Sequence, residues 1–412
     1  MTSGPLVLEI ILYLAVAHVI LRWLRGTVRD VSFASINVGA CFYLFLDFHH
    51  GFKATMFGIY LAMVLVMYVA MRTLSDKGGW RTGVAFLCPI FFLVIVRYMP
   101  PATAGGVIGF LHGTYKDTSS GSLAPYLIGL SYLAFRCSYL VLEVRNGTVP
   151  KPGLWRYLGF AFFLPTMPVG PINNYSHHER GFALNAPPID YALAGMRVLV
   201  GAVKYLFLGT LCNQLSYSGL LLDDHYHPVI DLPIACVFFY LFLYCNFSGF
   251  CDMAIGASAL IGIPVRENFA NPFAARNIRD FWNRWHITLS HWMRDVVFSP
   301  LSKKLARVMG VNEAVAVTIL LVFLLVGIWH GVGWNYAVYG LIHGVGVASN
   351  HYYTLGLKKW LGRDGFKAYN ANPYIHGAAV AITFTYVAAS NFFFANTFPE
   401  MRQIFSSLKW QW

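Results

Sequence analysis

Residues 314–330 read Ala314-Val-Ala-Val-Thr-Ile-Leu-Leu-Val-Phe-Leu-Leu-Val-Gly-Ile-Trp329-His330, sixteen residues without a charge before an imidazole closes the run. A helix that crosses a bilayer needs about 20 mostly apolar residues. Residues 314–329 therefore read as a strong span. An ionisable group at the end of such a helix is costly to place, and it usually faces a bundle interior or a water-filled path. Gly331 and Gly333 follow. They allow the backbone to break or to approach something closely. A plain alternative is a histidine satisfied by a carbonyl near the interface.

The whole chain agrees with this stretch. Of its 412 residues 57% are hydrophobic and only 12% charged, about half the charge share of a soluble domain. Mean hydropathy is +0.55. Such a chain cannot clothe a water-facing globule, so soluble, secreted disulfide-rich and disordered classes are excluded. The net charge of +12 points to cytoplasmic loops and anionic headgroups rather than nucleic acid. The seven cysteines form no CxxC pair, so neither a disulfide framework nor a zinc site is indicated.

Outward from 314–330, further apolar runs lie at 5–21, 31–47, 54–71, 82–98, 124–143, 232–247, 336–349 and 375–395. The first has no basic residue before it and Arg22, Arg25 and Arg29 after it. That is the reverse of a signal peptide, and the positive-inside rule places the N-terminus outside. Alternation then puts Arg72, Lys77 and Arg81 inside, with Arg145, Lys151 and Arg156, and leaves 112–122 outside. Lys358, Lys359, Arg363 and Lys367 mark another cytoplasmic loop. Less regular are 155–169, with Pro165 and Pro168, 191–222, with Arg197 and Lys204, and the short run 249–263. The expectation is an all-α polytopic membrane protein. It has about eleven transmembrane helices, with short re-entrant or interfacial helices around a central cavity, because irregular backbone at membrane depth is tolerated only there. No repeat is visible.

The densest polar stretch is Arg276-Asn-Ile-Arg279-Asp-Phe-Trp-Asn283-Arg284-Trp285-His286-Ile-Thr-Leu-Ser290-His-Trp-Met-Arg-Asp295. If helical, it places Arg279, Asn283, His286 and Ser290 on one face. It also reads as an amphipathic helix lying in the interface. His343 is spaced to hydrogen-bond Tyr339 across its own helix. Asp252, just after Gly249, calls for an ion pair or a function, with Arg266, Arg276 and Arg279 as possible partners. The pairs at 49–50, 177–178 and 225/227 lack a ligand set at metal spacing.

In order, these segments resemble the membrane-bound O-acyltransferase (MBOAT) family, in its bacterial alginate-acetylation and D-alanine-transfer branch (AlgI/DltB type). The likeness runs from about 124 to 352 as a catalytic core, within one domain over 1–412. Its most specific parts are Asn271-Pro-Phe, Phe281-Trp-Asn-Arg-Trp-His286-Ile-Thr-Leu-Ser290, Trp292-Met-Arg-Asp295, Trp329-His330-Gly with Trp334, and Tyr339-Gly-Leu-Ile-His343-Gly. Gly129–Arg136 and Gly170-Pro-Ile172 fit the same pattern. The resemblance implies catalysis by His330 and His286, in place of a merely interfacial helix around His286. Substrate contacts are expected from Arg276, Arg279, Asn283, Arg284, Trp285, Ser290, Trp329, Trp334 and Asp252. Asn246, Phe250 and Asn174 depart from the family pattern and bear on donor or acceptor identity.

The expected activity is O-acylation, with D-alanylation or acetylation of a cell-envelope polymer. No bound cofactor or metal is expected. The acyl donor is expected as coenzyme A or as a carrier-protein phosphopantetheine thioester. An extracytoplasmic acceptor polymer or secondary acyltransferase and membrane lipid are the other expected partners. The competing readings are a secondary transporter or lipid flippase, which should show repeats and coupled ion residues, and a non-enzymatic scaffold.

Overall fold

Backbone groups inside a bilayer have no water to bond, so apolar runs must satisfy them internally as helix. The computed structural model is helical accordingly. It describes residues 4–48, 53–98, 129–183, 188–220 and 228–406. The sole β-type pairing among them is the isolated bridge between Phe269 and Trp285. The histidines at 49–50 and 225/227 and the segment 112–122 lie outside the described residues. The chain is a multi-pass membrane protein. Among the described residues five helices are long and apolar enough to cross a membrane, at Phe57–Leu74, Tyr191–Gln214, Val229–Ile261, Val311–His330 and Pro373–Ala395.

The chain divides into two units, residues 1–200 with 250–266, and residues 201–249 with 267–412. In the first, α1 (Gly4–Trp23), α2 (Gly26–Phe48), α3 (Lys53–Leu74) and α4 (Gly79–Tyr98) precede α5 (Leu130–Arg145). The proline-rich run at 155–169 gives α6 (Leu154–Ala161) and a single 3-10 turn, Leu164–Thr166. Proline cannot donate to a helix ladder, so this segment needs other partners. Arg136 of α5 supplies them: fully buried, it donates to Ala161 O at 2.9 Å and to Thr166 Oγ1 at 3.0 Å. Glu143 caps the short α7 (Tyr175–Arg180) by accepting from the Tyr175 and Ser176 amides at 3.0 and 3.3 Å.

The three basic clusters expected on one side meet each other. Lys151 Nζ lies 2.7 Å from Asp76 Oδ1, and Arg72 donates to the Lys151 carbonyl. Arg156 lies 2.7 Å from Asp30, beside Arg29. These links cross the 22–30, 72–81 and 145–156 segments, as an alternating set of spans requires.

The runs at 232–247 and 249–263 are one helix, α9 (Pro228–Ile261); α8 runs over Tyr191–Gln214 with a π-helical turn at Val203–Leu208. Gly249 sits where a Cβ would come within 2.9 Å of Gly201 O, Tyr205 N and Lys204 Cβ, so only glycine lets these backbones touch.

In the second unit the polar stretch forms α10 (Ile278–Arg284) and α11 (Ile287–Met293), then a π-turn and α12 (Ser299–Leu305). The opening run is α13 (Val311–His330). It returns through α14 (Trp334–Ala371), followed by α15 (Pro373–Ala395) and α16 (Phe398–Ser406). α13 and α14 cross at Gly327 and Gly340; a Cβ on either would fall about 3 Å from the other's Cα. α14 is broken at Gly362, whose φ of 66° suits glycine.

Candidate active site

The stretch 276–295 is not one helix. Asn277 starts α10 by accepting from the Asp280 amide at 2.9 Å. Asp280 also holds Arg284 Nε at 2.9 Å. The helix ends at Arg284: Trp285 is extended and His286 takes φ 45°, ψ 51°. Among the described residues only His286 and Asn271 are non-glycine residues in this left-handed region, which costs an ordinary side chain about 1–2 kcal/mol.

What holds that conformation is the preceding segment, which runs antiparallel to it. The Ala270 amide donates to Arg284 O at 3.0 Å and the Ile287 amide to Asn268 O at 3.0 Å. Asn268, fully buried, presents Oδ1 to three groups: the Thr288 amide (3.1 Å), Thr288 Oγ1 (2.8 Å) and His286 Nδ1 (3.2 Å). An amide N–H can only donate, so the Asn268 atom facing Thr288 is the oxygen. His286 Nδ1 is therefore the donor, and the acceptor lone pair of the neutral ring lies on Nε2.

The His286 ring stacks edge-on to Phe247 at 4.7 Å between centroids. On another side it meets Trp329 at 6.1 Å, and Trp329 lies 4.6 Å from His330. The two histidines, 44 positions apart in the sequence, are thus brought together by the α13 indole. The His330 ring also contacts Tyr339 and Phe394 at 6.2 and 5.1 Å. Two imidazoles thus flank one indole, and the tautomer of the first is set by Asn268.

The break at His286 corrects the single-face expectation. Arg279, Asn283 and Ser290 stay together around a cavity of about 420 Å³, with His291, Arg294 and His351 and an aliphatic wall from α13. His286 is not among its lining residues. A left-handed residue between two short helices rotates the imidazole out of the file it would occupy in a continuous helix. Ser290 ties the two helices together by donating to Trp282 O at 2.9 Å.

Other expected site residues are placed as follows. Arg276 lines a different cavity, between α14 and α15. Arg284 is paired to Asp280. Trp285 packs against Phe269 and Phe281, with centroids at 5.0 and 5.5 Å. Trp334 is 79% exposed at the start of α14. Asp252 accepts from Arg197 Nε and Nη2 at 3.1 and 3.0 Å, a partner the sequence did not suggest.

His343 is also corrected. Its ring contacts Tyr339 at 4.5 Å, but its hydrogen bonds go elsewhere. Trp282 Nε1, which can only donate, lies 3.2 Å from Nδ1, so Nε2 carries the proton and donates to Ser390 Oγ at 2.9 Å; the Ser390 hydroxyl in turn donates to Val387 O. Asn268 was missed by the sequence reading, because nothing in the spacing links an asparagine eighteen residues upstream to His286.

Comparison with known proteins follows the same outline. The profile of the MBOAT, membrane-bound O-acyltransferase, family matches residues 122–390. The chain belongs to that family, and it is a membrane O-acyltransferase. It is 28% identical over 357 residues to a teichoic acid D-alanyltransferase of Bacillus subtilis (strain 168), covering 85% of this chain and 86% of that one. It is 40% identical over 209 residues to a peptidoglycan O-acetyltransferase of Helicobacter pylori, covering 50% of this chain and 38% of that one. With a probable alginate O-acetylase of Azotobacter vinelandii it shares 29% over 224 residues, 54% and 44% of the two chains.

Proposed function

We propose that this enzyme moves a D-alanyl or acetyl group from a cytoplasmic thioester to a hydroxyl outside the membrane, on a cell-envelope polymer or an intermediate partner protein. The observation that carries the reading is the His286–Trp329–His330 cluster, with His286 Nδ1 held by Asn268.

His330 takes the proton from the acceptor hydroxyl as general base. The oxygen attacks the thioester carbonyl, the carbon–sulfur bond breaks, and the leaving sulfur takes the proton back. Oxygen is acylated and a thiol is released, with no redox change. His286 orients His330 or the donor, or donates to the tetrahedral oxyanion. Positioning supplies much of the remaining acceleration.

The donor is coenzyme A or a carrier protein bearing phosphopantetheine. The cavity holding Arg279, Asn283 and Ser290 is the place for its arm, since a guanidinium suits a phosphate. Arg284, committed to Asp280, and Trp285, committed to packing, act by shaping this region. The enzyme lies in a bacterial cytoplasmic membrane with its N-terminus outside and its basic end in the cytoplasm. Trp334, at the end of α14 away from Lys358 and Lys359, faces the acceptor side.

Near-equal coverage of both chains favours the D-alanyl donor. The higher identity to an O-acetyltransferase over its shorter match favours acetyl. Mass spectrometry of envelope polymers with and without the gene identifies both the acyl group and the acceptor. In that assay His330→Ala is expected to remove about 10²–10⁴-fold of the rate. Wild-type O-acylation by this variant would overturn the assignment. Uptake of an intact solute into liposomes, with no acylated product, would favour the transporter reading.

A further inference from the structure

A second cavity, of about 460 Å³, lies between α14 and α15 and takes in none of His286, Trp329 and His330; of the residues expected to contact substrate it holds Arg276 alone. Its shape follows from one glycine. At Gly362 the chain leaves helical geometry, so the short segment after it, 363–371, folds back beside the helix that precedes it. The fold is pinned by a hydrogen bond between the Tyr353 and Tyr369 hydroxyls (2.9 Å) and by the Lys358 ammonium 5.2 Å over the Phe366 ring. Asn372 then caps α15, accepting from the Tyr374 and Ile375 amides.

The polar part of the lining includes Arg276, His376, Asn350 and Asn370, and no carboxylate belongs to it. Arg276 is exposed, and its guanidinium donates over a long contact, 3.5 Å, to Asn370 O. The apolar part comes from Ile278, Leu357 and Ala379, with Ile382, one turn of α15 beyond Ala379, 70% exposed.

The surroundings fix the depth. Trp360 is 81% and Tyr374 86% exposed, and Lys358, Lys359, Arg363 and Lys367 are exposed between them. Exposed tryptophan and tyrosine with lysine and arginine mark the headgroup layer of a bilayer. A cationic, hydrogen-bonding chamber at that depth, opening onto an apolar helix face, fits a molecule with a phosphate at one end and a hydrocarbon chain at the other.

We infer that this cavity binds one anionic glycerophospholipid, its phosphate against Arg276 and His376 and an acyl chain along Ala379 and Ile382. The inference does not depend on the donor, the acceptor or the catalytic roles above. A phosphate could also arrive on a pantetheine-bearing donor, and the experiment separates the two.

Full-length protein in detergent, stripped of lipid, is titrated with phosphatidylglycerol, phosphatidylcholine or coenzyme A and read by native mass spectrometry. One phosphatidylglycerol is expected to be retained in preference to phosphatidylcholine, and excess coenzyme A should not displace it. Arg276→Ala is expected to weaken retention about fivefold, the effect of one basic residue near an anionic lipid surface. His376→Gln should weaken it also, and Arg307→Ala, a cation elsewhere, should not. Variants are compared at equal helix content and thermal midpoint. Equal retention of the two lipids, displacement by coenzyme A, or unchanged retention in both Arg276→Ala and His376→Gln would overturn the inference.

Discussion

Asn268 Oδ1 stands 3.2 Å from His286 Nδ1 while accepting two further bonds from Thr288. One buried carbonyl oxygen thus sets both the turn that breaks the helix and the tautomer of the imidazole at the break. Asn268→Leu is expected to lower kcat by about 10²-fold, the scale of a catalytic group displaced by an ångström. Asn268→Asp keeps an acceptor at the same place and should retain more of the rate. The check is O-acylation in proteoliposomes with kcat and KM separated. Equal losses in the two variants would sever Asn268 from catalysis.

His343 is expected to behave in the opposite way to His330. Its two nitrogens are spent on Trp282 and Ser390, which fasten α10 to α14 and α15. His343→Ala leaves the Trp282 N–H buried without its acceptor, a cost of about 1–3 kcal/mol. The thermal midpoint should fall, while turnover per folded molecule stays within a few-fold of the parent. A normal midpoint with abolished turnover would place His343 in the chemistry instead.

At the crossing of α13 and α14, Gly340→Leu forces a side chain into backbone only about 3 Å away. The helices must separate, and His330 sits one turn beyond that crossing. Loss of both thermal stability and acylation is expected. Leucine at Gly356 of α14, where a Cβ would meet nothing within 4 Å, should be tolerated in both measurements.

Acid should destabilise the first unit through His178. This residue of α7 is outside the spans and fully buried, among the rings of Phe33, Phe160, Phe163 and Phe182 at 5.1–6.1 Å. Burial, with the charges of Arg136 and Arg156, pushes its pKa down to about 3. The folded state then binds fewer protons than the unfolded state, whose imidazole titrates near ~6.5. The contribution is intact above that value and is lost as pH falls from there toward about 3. Thermal midpoints in detergent at neutral and mildly acidic pH should show the loss, and His178→Phe should reduce it. A slope unchanged in the variant would assign the acid sensitivity to other groups.

The class of fold was legible because scarcity of charge and unbroken apolar runs admit few structures. The contacts Lys151–Asp76 and Arg156–Asp30 answer to the loop charges that alternation places on one side. The long α9 was not legible: Gly249 reads as an interruption, whereas in three dimensions it is a site of backbone contact with α8. The candidate site was half legible. His330 announces itself by ending an apolar run. The partner of His286, by contrast, is fixed by an antiparallel stretch of backbone, and neither composition nor helical spacing records such pairings.

The left-handed turn at His286 also acts as a partition. A run of twenty residues that looks like one device is divided at a single backbone position, so that Arg279, Asn283 and Ser290 serve one chamber and His286 stands outside it, against Phe247 and Trp329. Substitutions walked along this run should therefore fall into two phenotypes rather than grade into each other. If the proposed donor arm occupies that chamber, one set should change how tightly the donor is held, and the other how fast its acyl group departs.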